Sequence, residues 1–192
     1  MLSAFLNAFK IKELRNKILF TAGVIVLCRI AANIPCPGVD TKNLKTYFDS
    51  FGADSAAGQF MGMFDLFSGG ALQQFAIGAL GIMPYISASI IMQLLVPVVP
   101  SLEKLSREGE VGRGRINQYT RYLTILICIV QGAMAAVAMT TPSNLGLPAP
   151  DPAFPLVTNP GFGFIAMSVC ILTAGTMILV WLGERITEHG IG

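Results

Sequence analysis

Residues 75 to 96 read FAIGALGIMPYISASIIMQLLV, twenty-two positions without one Asp, Glu, Lys or Arg. As a helix rising about 1.5 Å per residue, such a run covers a hydrocarbon core of about 30 Å. Moving outward, three more apolar runs occupy residues 18 to 34, 120 to 140 and 162 to 182. The four runs predict four transmembrane helices. Lipid leaves no water to satisfy a backbone, so only helices or closed barrels cross it, and the alternating strand pattern of a barrel is missing from the sequence. The predicted class is all-α, a polytopic transmembrane helical bundle. Composition agrees: of 192 residues 53% are hydrophobic and 12% charged, with mean hydropathy +0.64. Soluble domains carry about a quarter of their residues as charges, so this chain lacks the polar cover of a soluble surface. It is also too apolar for disorder.

Orientation follows from the short loops. Lys10, Lys12, Arg15 and Lys17 precede the first run, Lys104, Arg107, Arg113, Arg115 and Arg121 lie around the start of the third, and Arg185 follows the fourth. The alternate loops hold only Lys42 and Lys45. The positive-inside rule therefore puts the N-terminus and the 97–119 loop in the cytoplasm. A basic stretch before an apolar one also resembles a cleaved signal peptide, but the run is long for one and Pro-Cys-Pro-Gly is a poor cleavage site. Leu2, Phe5, Leu6, Phe9 and Glu13 share a helical face, so residues 2 to 14 read as an interfacial helix or as a frayed tail. Cys28, Cys36, Cys128 and Cys170 lack metal or disulfide spacing and His189 stands alone, so neither a metal nor a cofactor is expected. Arg29, five residues before the end of the first run, is expected to snorkel to the outer interface.

Two segments depart from simple spans. In the outer loop of residues 35 to 74, IPCPGVD (34–40) is a helix-ending turn. Further on, Phe60, Met61, Met63, Phe64, Leu66 and Phe67 form an apolar stretch too short to span, followed by Ser68-Gly69-Gly70. At membrane depth such a piece is tolerated only inside protein or on a cavity, and a Gly-Gly hinge would let it move. A static interfacial loop is the plainer reading. In the 75–96 run, Ile82, Ile86, Ser89 and Gln93 share one helical face, with Gly78, Gly81 and Pro84 predicting a kink or local unwinding. That face suits a pore dry at the waist and wetter toward the cytoplasm, or ordinary packing with an interhelical Gln bond. The cytoplasmic loop, PSLEKLSREGEVGRGRINQYTRY (100–122), reads as a solvated loop whose Arg113, Arg115 and Arg121 could meet an anionic partner.

IPCPGVD, FDLFSGGAL, ALGIMPYISASIIMQLL, EGEVGRGRINQYTRY and GTMILVWLGERITEHGIG, in that order, resemble the N-terminal portion of the SecY family, the central subunit of the protein-translocating channel. The resemblance covers most of residues 15 to 192. It implies a ten-helix channel of two inverted halves that passes unfolded polypeptides across the membrane and releases apolar segments into lipid. It further implies a plug over Phe60, Met61, Met63, Phe64, Asp65, Leu66, Phe67, Ser68, Gly69 and Gly70, and a pore ring that includes Ile82 and Ile86. A lateral-gate face would carry Ser89 and Gln93, and Arg113, Arg115 and Arg121 would contact a cytoplasmic partner. The implied partners are the small membrane subunits SecE and SecG, a SecA motor or a ribosome, a translocating polypeptide with its signal sequence, and the bilayer of the inner (plasma) membrane. No direct DNA binding and no enzymatic activity are implied. A family member would continue past Gly192 into a fifth span, so the chain is expected to be the N-terminal part of a longer subunit.

Two rival classes are weighed by their chemistry. Half of an inverted-repeat solute transporter would show a compact polar site at mid-membrane, where this sequence has isoleucine. An intramembrane enzyme would need paired carboxylates or a Ser/His arrangement within the spans, and the runs contain neither.

Overall fold

The structure, a computed structural model, describes residues 11–50, 56–142 and 155–190. Within them lie helices α1 (Lys12–Asn33), α2 (Thr41–Ser50), α3 (Ala56–Ser68), α4 (Met83–Val98), α5 (Pro100–Arg107), α6 (Glu110–Thr140) and α7 (Phe162–His189). No strand forms among the described residues, where extended pairing is limited to single bridges at Pro35–Ala76 and Val39–Val157. The all-helical class holds. Among the described residues, α6 and α7 are long and apolar enough to cross a membrane. The bent pair α4 and α5 makes a third candidate if counted as one span. This is a membrane protein.

The α6–α7 pair is the scaffold, with the most extensive contact of any two helices. Its cause is a row of small residues on α6 that admits larger side chains of α7. On α6 the buried positions Thr120, Thr124, Cys128, Gly132 and Ala136 recur every fourth residue, and on α7 Phe164, Ser168, Leu172, Thr176 and Val180 do the same. Facing rows at this spacing bring two backbones close without needing a hydrophobic drive that lipid does not supply. A Cβ added at Gly132 would lie 3.6 Å from the Val169 Cα.

One end of the bundle is closed by the IPCPGVD turn. Cys36 N donates to Phe75 O and Ile77 N to Ile34 O, while Asp40 N donates to Leu156 O and Thr158 N to Gly38 O. One seven-residue turn thus clamps both neighbouring loops. Asp40 then caps α2, its Oδ1 accepting from Lys42 N and Asn43 N. Beneath the clamp sits the core: Cys36, Leu44, Phe75, Leu156, Phe164 and Leu172 are buried together. Phe75 is wholly buried at φ 45°, a strained backbone that the surrounding bonds hold in place.

Helix bounds differ from the sequence expectation in four places. The 75–96 run is helical only from Met83, because residues 71–82 form consecutive turns with bonds such as Ala79 N to Ala76 O and Gly81 N to Gly78 O. Gly81 at φ +58° and Pro84 at the start of α4 separate turn from helix. The 97–119 loop, read as solvated, is mostly helix: α4 breaks at Val99 and turns by 97° into α5, and α6 starts at Glu110 rather than at residue 120. The fourth run continues as α7 to His189, beyond its expected end at 182. The first run lies in α1, which begins at Lys12. Of the expected interfacial helix, Leu2, Phe5, Leu6 and Phe9 fall outside the described residues, and Glu13 stands in the first turn of α1.

Candidate functional site

The short apolar stretch folds as α3, and the sequence Asp-Leu-Phe-Ser-Gly-Gly dictates how it stops. Gly70 N donates to Asp65 O at 3.0 Å and Gly69 N to Leu66 O at 3.2 Å, the paired bonds of a Schellman ending. Both glycines have positive φ, +67° and +86°. Side chains secure the exit: Ser68 Oγ donates to Asp65 O and accepts from Leu72 N, and Asp65 Oδ1 accepts from Gln73 N. The helix end is therefore specified by local bonds, and among the described residues the helix makes no extensive contact with another helix.

Across from this ending stands α1. Arg29 Nη1 donates to the carbonyl of Gly69 at 3.0 Å, linking positions forty residues apart. Leu66, Ser68, Gly69, Arg29, Ile82 and Ile186 border a cavity of about 470 Å³ whose wall is mainly apolar. On its other side Ser68 borders a second cavity, of about 290 Å³, with Leu72, Met83, Ser87 and Gln131. Ile82 precedes α4 and Ile86 follows one turn later, with Ile86 N bonded to Ile82 O. Their side chains remain 43% and 44% exposed, in contrast to Ala88 and Met92 on the buried face. Further along, Gln93 Nε2 donates to Ser89 Oγ at 3.2 Å.

The turn that carries Ile82 is anchored from behind. Ile77 lies so close to Gly175 of α7 that a Cβ there would overlap the Ile77 carbonyl oxygen. Only glycine fits. On the opposite end of the molecule, Gly112 fills the same role: a Cβ would overlap the Leu105 carbonyl, so this glycine admits α5 against the first turn of α6. Arg113 and Arg115 are exposed on that turn. Arg121 instead makes a bidentate pair with Glu184 of α7, at 3.1 and 2.6 Å. An apolar groove of about 530 Å³ runs between the α4–α5 elbow and α6, lined by Met92, Leu95, Leu102, Leu105, Tyr122 and Leu126 among others.

Of the residues singled out in the sequence, Leu66, Ser68, Gly69 and Ile82 meet on one cavity, and Ile86 lies one turn beyond. Met63 is exposed on α3 and Asp65 serves its ending. The side chains of Phe60, Met61, Phe64 and Phe67 are outside the described residues. Sequence reasoning missed the partner of Arg29 and the Gly175–Ile77 approach. It also missed a buried contact of 3.7 Å between Cys36 Sγ and Ser168 Oγ. Burial pushes the Cys36 thiol up from its ordinary pKa, with the Ser168 hydroxyl opposing. Among the described residues no group of His, Cys, Asp and Glu is placed to hold a metal.

Comparison with known proteins bears on the same segments. The SecY family pattern matches residues 76–192. The protein translocase subunit SecY of Streptomyces coelicolor is 46% identical over 198 aligned positions, covering 100% of this chain and 43% of that protein. Those of Aquifex aeolicus and Mycobacterium bovis are 44% and 41% identical, each again matching 100% of this chain and 42% of the relative. The chain thus spans less than half the length of these curated relatives.

Proposed function

Because the chain belongs to the SecY family, we propose that it forms the N-terminal part of a protein-conducting channel, which moves unfolded secretory polypeptides across a membrane and releases apolar segments into lipid. The observation that carries this reading is the exposed pair Ile82 and Ile86, one turn apart where α4 begins, with Ile82 on the cavity that the glycine ending of α3 also borders. Branched, polarity-free side chains around a narrow waist exclude a continuous water column, and they offer a passing chain no specific site on which to stall.

In this mechanism α3, with its apolar residues Phe60 to Phe67, is the plug that closes the outer side of the waist. The α6–α7 pair is the fixed wall on which the 71–82 turn rests. Helix α4, carrying Ser89 and Gln93, forms one side of a lateral gate, and its polar pair keeps the cytoplasmic side of the pore wetted. The basic residues before α1 and around α5 and α6 put those segments in the cytoplasm. There Arg113 and Arg115 remain open to a motor or ribosome, while Arg121 is engaged by Glu184. SecE and SecG are the membrane partners of this reading, and energy comes from the cytoplasmic partner.

The test uses the full-length subunit in its assembled complex. Replacing Ile82 and Ile86 together by Ser is expected to raise resting ion conductance through the channel, and replacing both by Leu is expected to leave it at the parent level. Equal conductance in the two double variants removes the waist assignment.

A further inference from the structure

Arg29 is the cation placed furthest from its expected surroundings. It lies within the apolar part of α1, and among the described residues its guanidinium bonds to no carboxylate, whereas Arg107, Arg121 and Arg185 each do. Its head meets a backbone carbonyl, that of Gly69, at 3.0 Å. This carbonyl belongs to the residue just past the end of α3, where unpaired helix carbonyls gather partial negative charge and a cation is stabilised. We infer that Arg29 is a positioning residue, a latch that holds the C-terminal end of α3 against α1 and so sets how readily the plug leaves its seat. The inference rests on the plug reading of α3.

Three features make the contact a latch and not incidental packing. First, among the described residues α3 makes no broad interface with another helix, and the Arg29 bond is a charged hydrogen bond that ties its end to α1. Second, the guanidinium sits directly on residue 69: a Cβ there would lie 2.9 Å from Nη1 and push the guanidinium aside, while φ +67° already favours glycine. Third, the bond reaches the Gly69-Gly70 turn at which α3 would pivot, and the Asp65 and Ser68 bonds that shape this turn are all internal to the 65–73 segment. Breaking the Arg29 contact therefore leaves this turn held by its own bonds alone, so that it opens more readily and the end of α3 is freed from α1. A single replaceable bond also suits repeated use, since an entering polypeptide needs to displace one donor instead of a packed surface.

The experiment uses the full-length subunit in its assembled complex, with Arg29→Gln, Arg29→Lys, Gly69→Ala and a deletion of Phe60 to Phe67. Two quantities are read: amide hydrogen exchange across residues 65–75, and the resting ion leak of reconstituted vesicles. A lost charged hydrogen bond predicts roughly tenfold faster exchange in Arg29→Gln, with a leak shifted toward that of the deletion. Arg29→Lys, which keeps charge and a donor, should recover part of both effects. Gly69→Ala, which crowds the guanidinium and leaves its charge intact, should resemble Arg29→Gln. Adding Arg29→Gln to the deletion should raise the leak no further. If the deletion leaks but Arg29→Gln changes neither quantity, the latch is wrong and the plug reading stands. If Lys and Gln behave alike, the stem of Arg29 acts by packing and the latch is likewise overturned. If the deletion itself leaves the leak unchanged, the plug reading falls and takes the latch with it.

Discussion

The α6–α7 pair and the segment from α3 to Ile86 are both apolar, yet they are built on opposite plans. In the pair, backbone groups are satisfied within long helices, and a row of small side chains on α6 is buried against a row on α7. In the segment, backbone groups are satisfied by glycine turns, a serine hydroxyl and an aspartate, and the large apolar side chains Leu66, Ile82 and Ile86 stay exposed. Rigidity in this molecule comes from close backbone approach. In the segment, a helix is instead ended by local bonds, and Leu66 beside that ending stays exposed.

Glycine substitutions separate the two plans, because the same residue type serves a different purpose in each. The largest effect is expected from Gly175→Leu, where even a Cβ would overlap the Ile77 carbonyl. Overpacking at this contact should cost about 3 kcal/mol and lower the unfolding midpoint of the purified full-length complex. Gly70→Ala meets no steric neighbour but imposes a side chain at φ +86°, so it should cost about 1 kcal/mol, read as faster amide exchange near the end of α3. Outside either region, Asp40→Ala removes the acceptor that caps α2 and should cost about 1 kcal/mol, detected as faster exchange in the first turn of that helix. The smallest effect is expected from Gly62→Ala, inside α3 with open space around it, which should stabilise the helix by roughly half a kcal/mol and leave the unfolding midpoint nearly unchanged. A large loss at Gly62 together with none at Gly175 would reverse the comparison.

Much of this was legible in the sequence, and the exceptions share a cause. Long apolar runs marked α6 and α7, since length and polarity are local properties. Gly78, Gly81 and Pro84 announced the interruption of the 75–96 run, although the extent of unwinding, up to Met83, depends on Ile77 resting against Gly175 nearly a hundred residues away. Residues 97–119 misled for another reason. Their glycines and mixed charges resemble a solvated loop, but Glu103 and Arg107 pair one helical turn apart, and Gly112 serves close approach instead of flexibility. Arg29 stood out as a charge in an apolar run, and no periodicity could reveal a partner forty positions on. Arg121 differs similarly: its basic neighbourhood suggested an external anion, and its observed partner is Glu184.

The central claim, that Ile82 and Ile86 line the path of a translocating chain, is tested most directly by site-specific photo-crosslinking. A probe at position 86 and another at Ile125 of α6 are placed in the full-length subunit, and a secretory polypeptide is arrested midway through the assembled channel. The account predicts that the probe at 86 captures the arrested chain and the probe at 125 does not. Capture at 125 with none at 86 would contradict it.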